Sequence, residues 1–138
     1  MDIRQSYEYK ILVGGGYAFA IHARPRFTGD LDIFLEAQQS NAQKVLDALK
    51  EFGFGDDGIG LDDLTKPGQV IQLDRPPLRI GLLTSITDVL FADAWHRKAM
   101  AKYGEQTVYF IGKEDLIVNK RGSGRKKVLE DLDELVLV

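Results

Sequence analysis

The sequence predicts an α/β (α+β) fold in which a mixed central sheet is flanked by helices. Apolar runs of strand length alternate along the chain with amphipathic stretches whose apolar residues recur at helical spacing. Two of the apolar runs flank a pair of prolines, which is typical of a hairpin. At 138 residues and 44% hydrophobic content, the chain is long enough to bury one ordinary core. We therefore expect a single domain over residues 1–138.

The first elements are an apolar run that ends in three glycines, residues 9–16, and the Ala-rich residues 17–22. This order predicts a strand, a tight turn and a helix. Glycines let the backbone approach an anion closely, and the positive end of the helix favours phosphate there. The alternative is a plain turn in which the glycines only satisfy backbone geometry.

The next strand, residues 28–34, carries Asp30 and Asp32 two positions apart. Because side chains alternate along a strand, both carboxylates lie on one face. Neighbouring carboxylates repel each other, so the pair indicates a bound cation, a basic partner or a shared proton. A divalent metal, Mg²⁺ or Mn²⁺, is one interpretation. Strand-end acids that cap loops or face solvent are the other.

The remaining elements are predicted from apolar periodicity and from turn residues. They are a helix over 38–52 ended by Gly53, an irregular 54–68 segment with a short strand near Ile59 and Leu61, a hairpin of 70–73 and 78–83, a helix around 91–103, a strand over 107–111, a helix that opens at Lys113, and a last helix over 125–137. His22 is expected to have a structural role, and a metal role for His96 is not expected because no second His or Cys stands at ligand spacing.

A basic cluster over residues 120–127 surrounds a Gly-Ser-Gly turn. Its cations are suited to a triphosphate or to an RNA backbone. The alternative is a set of surface ion pairs, since Lys126 and Lys127 each precede an acid by four residues.

Several segments together resemble a known family. They are Val13-Gly14-Gly15, residues 24–32, 76–80 and 82–86, Phe91, Ala94-Trp95, residues 114–117 and 119–121, Gly124-Arg125 and Asp131. In order and spacing they resemble the minimal nucleotidyltransferases of the DNA polymerase beta superfamily, in particular the branch that includes abortive-infection toxins.

The resemblance implies a nucleotidyltransferase fold that binds a nucleoside triphosphate such as ATP together with Mg²⁺. It implies that Asp30 and Asp32 are catalytic metal ligands. The residues it assigns to the nucleotide and its phosphates are Gly14, Gly15, Arg26, Thr28, Lys120 and Arg125. The implied reaction transfers a nucleoside monophosphate to a hydroxyl of RNA, protein or a small molecule. Relatives of this kind include toxins, so an antitoxin is a candidate partner.

Two departures from the family pattern bear on activity. Gly81 stands where that branch carries a third carboxylate, and Val128 stands where it carries another acid. A missing third acid removes a general base. Asp74, across the predicted hairpin, is the candidate to replace it as a catalytic residue. The competing hypothesis is a catalytically degenerate nucleotide-binding or regulatory domain, and a third is a structural domain whose acids are surface groups.

Composition limits the remaining classes. The chain has no cysteine, so disulfide frameworks and thiolate metal sites are excluded. No signal-peptide pattern or run of transmembrane length is present, which predicts a cytoplasmic protein without a membrane partner. A net charge of −3 argues against extensive nucleic-acid coating.

Overall fold

The computed structural model describes residues 9–23, 29–55, 57–123 and 134–135. The strands in this part of the chain are β1 (Ile11–Val13), β2 (Asp30–Leu35), β3 (Val70–Arg75), β4 (Leu78–Leu83), β5 (Ala99–Tyr103) and β6 (Gln106–Phe110). The helices are α1 (Gly15–His22), α2 (Gln39–Leu49), α3 (Leu61–Thr65), α4 (Phe91–His96) and α5 (Lys113–Ser123), and a π-helical turn, Lys50–Phe54, follows α2.

The described strands form one six-stranded sheet in the order β3-β4-β2-β1-β6-β5. β1 pairs antiparallel with β2 and parallel with β6, while β2 pairs parallel with β4. β3 and β4 form the expected hairpin, and β5 pairs antiparallel with β6. The sheet is therefore mixed, as the sequence predicted.

Helices cover both faces of this sheet. On one face, α2 and α3 pack on β2, β3 and β4 in a buried cluster that includes Leu35, Leu46 and Leu64. On the same face, α1 and α5 pack on β1 and β6 around Phe19 and Phe110. The prediction of a mixed sheet flanked by helices is confirmed.

The opposite face carries Asp30, Asp32 and Phe34, because these residues alternate with the inward-facing Leu31, Ile33 and Leu35 of β2. We call it the acidic face. α4 packs on its Phe34 end, where the Phe34 and Phe91 rings meet edge to face at 5.0 Å. The end of β2 that bears the two acids is left open to the site described below.

The predicted helix over 91–103 was wrong in its second half. α4 ends at His96, and β5 begins at Ala99. From Ala99 to Lys102 half-buried and exposed side chains alternate, which is the period of a strand and not of a helix. The Arg97 guanidinium at this junction binds the buried Asp115 carboxylate of α5 at 2.8 Å. That hydrogen bond and the negative charge of Asp115 raise the pKa of Arg97.

The short strand expected near Ile59 and Leu61 was also wrong, because α3 lies there. The Asp63 carboxylate accepts a hydrogen bond from the Gly60 backbone N–H at 2.8 Å and caps the helix. Leu64 is fully buried under α2 and supplies the apolar contact that holds this single turn in place.

Two further predictions concern the helices that flank these elements. The helix predicted over 38–52 is α2, which ends at Leu49, together with the π-helical turn that continues it. Gly53, the predicted end, is the residue with non-helical backbone angles in that turn, with a φ of 96°. The last helix, predicted over 125–137, lies outside the described residues except at 134–135, which are helical.

Among the described residues, no helix has both the length and the apolarity needed to cross a membrane.

Candidate functional site

The glycine turn brings the start of α1 beside β2. The backbone N–H of Gly14 donates a hydrogen bond to the carbonyl oxygen of Asp32 at 2.9 Å. Gly15 opens α1 with a φ of +58°, a conformation that favours glycine. The predicted strand, turn and helix are confirmed, and the N-terminal end of α1 lies next to the acidic strand.

The Asp32 carboxylate lies between two glycines. A Cβ atom built on Gly15 would stand 3.1 Å from Cγ of Asp32 and closer still to its Oδ2 atom. A Cβ atom built on Gly81 would stand 2.9 Å from the other oxygen, Oδ1. Both distances are shorter than ordinary van der Waals contact, so the position of this carboxylate depends on the absence of a side chain on either side.

Asp30 lies on the same face as Asp32 and is exposed. In the register of the sheet, Asp30 is opposite Arg79 of β4, and Arg79 is opposite Asp74 of β3. Nε of Arg79 binds Oδ1 of Asp74 at 3.2 Å, with both side chains more than half exposed. Asp74 therefore shares the acidic face but stands one strand beyond Gly81, and the residue opposite Gly81 is Gln72.

A cleft of about 510 Å³ opens on the acidic face between the sheet, the segment after β4, and α5. Its size is that of a pocket for a small organic ligand. Its wall includes Gly14 and Gly15 of the glycine turn, and Asp32. The other lining residues are Phe34, Gly68, Val70, Leu83, Ser85, Ile86, Thr87, Ile111, Leu116, Asn119, Lys120 and Ser123.

Lys120 of α5 is the cation of this cleft among the described residues. It is only 8% exposed, and its Nζ atom lies 5.7 Å from the centre of the Phe19 ring. A lysine held in a partly apolar wall is less hydrated than one on the surface, so it interacts more strongly with an anion that enters the cleft.

His22 ties α1 to the start of α5. Its Nε2 atom and the carbonyl oxygen of Ile111 are 2.8 Å apart, so the ring N–H donates to that carbonyl. Ile111 itself is held to the sheet, because its N–H donates to the carbonyl oxygen of Val13 at 2.9 Å. This hydrogen bond is structural, as expected for His22 from the sequence.

The structure brings four of the sequence-predicted residues together in the cleft, namely Gly14, Gly15, Asp32 and Lys120. Asp30 lies on the same face two residues along the strand from Asp32, and Asp74 lies in the Arg79 ion pair. Arg26, Thr28, Arg125 and Val128 lie outside the described residues.

The two acids of β2 fit a divalent cation that is shared with a substrate. In the described part of the chain, no group of three or more His, Cys, Asp or Glu side chains could hold a metal by itself. Mg²⁺ usually binds through one or two carboxylates plus substrate phosphates, so two carboxylates on one face of a strand are a donor set that such an ion could use.

Sequence reasoning did not assign the neutral polar groups of the cleft. Ser85, Thr87, Asn119 and Ser123 all line it. Asn119 donates from Nδ2 to the carbonyl oxygen of Thr87 at 3.1 Å, which joins α5 to the segment after β4. The sequence could have indicated two of them, because Asn119 and Ser123 are one helical turn apart on α5 and flank Lys120 in the chain, so they lie on the same side of the helix.

The chain matches one family model over residues 5–138, and the family is described as a nucleotidyl transferase of unknown function (DUF2204). A search of curated proteins gave no match to this chain.

Proposed function

The chain belongs to this nucleotidyl transferase family, and on that premise we propose that its cleft binds a nucleoside triphosphate and transfers the nucleoside monophosphate to a hydroxyl acceptor. The observation that carries the proposal is the meeting of Asp32, the glycine turn and the buried Lys120 on one cleft wall.

The phosphate groups are assigned to the glycine turn and to Lys120. The positive end of the α1 dipole favours negative charge beside Gly15, where the backbone N–H groups of the first helical turn have no partner within the helix. The ammonium group of Lys120, on α5, adds a cation to the same cleft. A charge-assisted hydrogen bond of this kind contributes about 1.5–3 kcal/mol.

Asp30 and Asp32 are the residues that would hold Mg²⁺ or Mn²⁺, and the bound ion would neutralise phosphate charge as it develops. The acceptor oxygen forms a bond to the α-phosphorus, and the bond from that phosphorus to the bridging oxygen breaks, which releases pyrophosphate. The hydroxyl proton passes to solvent water, because both carboxylates of β2 are assigned to the ion.

The acceptor and the biological setting are the finer part of the proposal. Hydroxyls of RNA, of a protein or of a small molecule are the candidate acceptors. A role as the toxin of a toxin–antitoxin pair, with an antitoxin as partner, rests on the sequence resemblance to abortive-infection toxins.

A second candidate function is a nucleotide-binding or regulatory domain without turnover. It is supported by Gly81, which faces Asp32 at the position where the resembling branch carries its third acid. It is supported also by Asp74, which pairs with Arg79 and lies one strand farther from Asp32.

Transfer of label from two forms of each nucleoside triphosphate tests the proposal and separates the two candidates. The protein is incubated with Mg²⁺, total RNA and an extract of cellular protein, with phosphorus label at either the α or the γ position. We expect α label, and not γ label, to become attached to an acceptor, and Asp32→Asn to prevent it. Binding without transfer would favour the regulatory candidate, and neither binding nor transfer would contradict both.

A further inference from the structure

Gly81 does more than stand at the position where the resembling branch carries a third acid, because it also has a steric role. It is buried in β4, directly opposite Asp32 in the parallel register with β2. The Oδ1 atom of Asp32 stands 2.9 Å from the point that a Cβ atom on Gly81 would occupy. Among the described residues, no other heavy atom outside the chain neighbours of Gly81 lies within 4 Å of that point.

The carboxylate of Asp32 is confined from the other side as well. The point that a Cβ atom on Gly15 would occupy lies 3.1 Å from Cγ of the same carboxylate and nearer still to Oδ2, and the φ of +58° keeps this position suited to glycine. The Asp32 carboxylate therefore occupies the space between two glycine positions, and a side chain on β4 at position 81 would press it toward α1.

We propose that Gly81 is a positioning residue for Asp32, and that the space expected for a third acid is taken by the Asp32 carboxylate itself. An acid at position 81 would displace Asp32 instead of completing a set with it. Among the described residues, Asp32 is then the carboxylate that lines this cleft, and Asp30 lies two residues away on the same face of β2. The consequence for metal and phosphate binding rests on the proposed function, whereas the steric coupling does not.

A double-mutant cycle tests the coupling without any ligand. The four proteins are the unchanged chain, Gly81→Ala, Asp32→Ala and the double variant, each measured by thermal unfolding. In the unchanged background, Gly81→Ala should lower Tm by about 3–6 °C because the added methyl group overpacks the carboxylate. In the Asp32→Ala background, the same substitution should leave Tm unchanged or raise it, because alanine is better than glycine within a strand.

The chemical shift of the Asp32 carboxyl ¹³C resonance is a second measurement, and it does not depend on the overall stability of the protein. It is assigned by its loss in Asp32→Asn, and we expect its chemical shift to change in Gly81→Ala. An equal effect of Gly81→Ala in both backgrounds, or an unchanged Asp32 resonance, would overturn the proposal.

Gly81→Asp tests the consequence for the proposed function. With ATP or GTP and Mg²⁺, we expect this variant to bind the nucleotide about tenfold or more weakly than the unchanged protein does, because the Asp32 carboxylate is displaced from its position. Tighter binding or new transfer activity would contradict the positioning role. If the unchanged protein binds no nucleotide, the proposed function fails while the cycle and the Asp32 resonance still decide the steric proposal.

Discussion

The ring N–H of His22 donates to the carbonyl oxygen of Ile111 across 2.8 Å, and this bond connects the end of α1 with the residue that leads into α5. α1 starts at the glycine turn, and α5 carries Lys120. The bond therefore holds two candidate phosphate-binding groups of the cleft at a fixed separation, although His22 is not one of the residues that line it.

Replacing His22 by alanine should lower the free energy of unfolding by about 1 kcal/mol, the net contribution of one neutral hydrogen bond. His96→Ala is the matched control, because His96 is an exposed histidine at the end of α4 and its loss should change stability by less than about 0.5 kcal/mol. Urea unfolding measures both. Equal effects of the two substitutions would show that the bond to Ile111 does not hold the helices together.

Lys120→Met should weaken nucleoside triphosphate binding by about 10- to 100-fold, the loss of one charge-assisted hydrogen bond, while the apolar methionine keeps the contact with Phe19. The control is Arg121→Met, which removes an exposed cation from the next position of α5. Calorimetric titration of ATP and GTP compares the variants. If Arg121→Met weakens binding as much as Lys120→Met, the effect is general electrostatics and the assignment of Lys120 is wrong.

Gly15→Ala should destabilise the protein by about 1–3 kcal/mol, because alanine at a φ of +58° is strained and its methyl group meets the Asp32 carboxylate. Gly14→Ala is the control of identical chemistry one residue earlier, where a Cβ atom would meet nothing within 4 Å. Thermal unfolding should separate the two variants clearly. A Gly14→Ala variant as unstable as Gly15→Ala would mean that the turn, and not the contact with Asp32, sets the requirement.

The sequence was sufficient to predict the part of the fold that positions the site. The glycine turn, the acidic strand and the hairpin each carry a strong local signal, since alternation and turn residues act over a few positions. The prediction of one helix over 91–103 was wrong at its end. The local pattern is helical up to Trp95, but the bond from Arg97 to Asp115, at the point where the helix ends, forms only in the folded chain.

Which residues of the site lie next to each other was harder to predict from the sequence than which residues belong to it. Asp32 and Lys120 are 88 positions apart, and long-range contacts such as the parallel pairing of β1 with β6 bring α5 to the glycine turn. Register is likewise a property of the folded sheet, and it is the register that sets Asp74 opposite Arg79 and Gln72 opposite Gly81.

Buried polar groups were the least visible part of the fold from sequence. Asn41 at the start of α2 accepts a hydrogen bond from the Lys10 N–H and donates to the carbonyl oxygens of Lys10 and Glu36. These bonds join segments up to 31 positions apart, and nothing in the local pattern around Asn41 distinguishes it from a surface residue of an amphipathic helix.

Calorimetric titration of ATP and GTP, with and without Mg²⁺, on the unchanged protein and on Asp32→Asn tests the central claim most directly. We expect binding by the unchanged protein that weakens at least about tenfold without Mg²⁺, and a loss of similar size in Asp32→Asn with Mg²⁺ present. Absent binding, or binding that is the same without Mg²⁺ and in Asp32→Asn, would contradict a metal–phosphate site at this cleft.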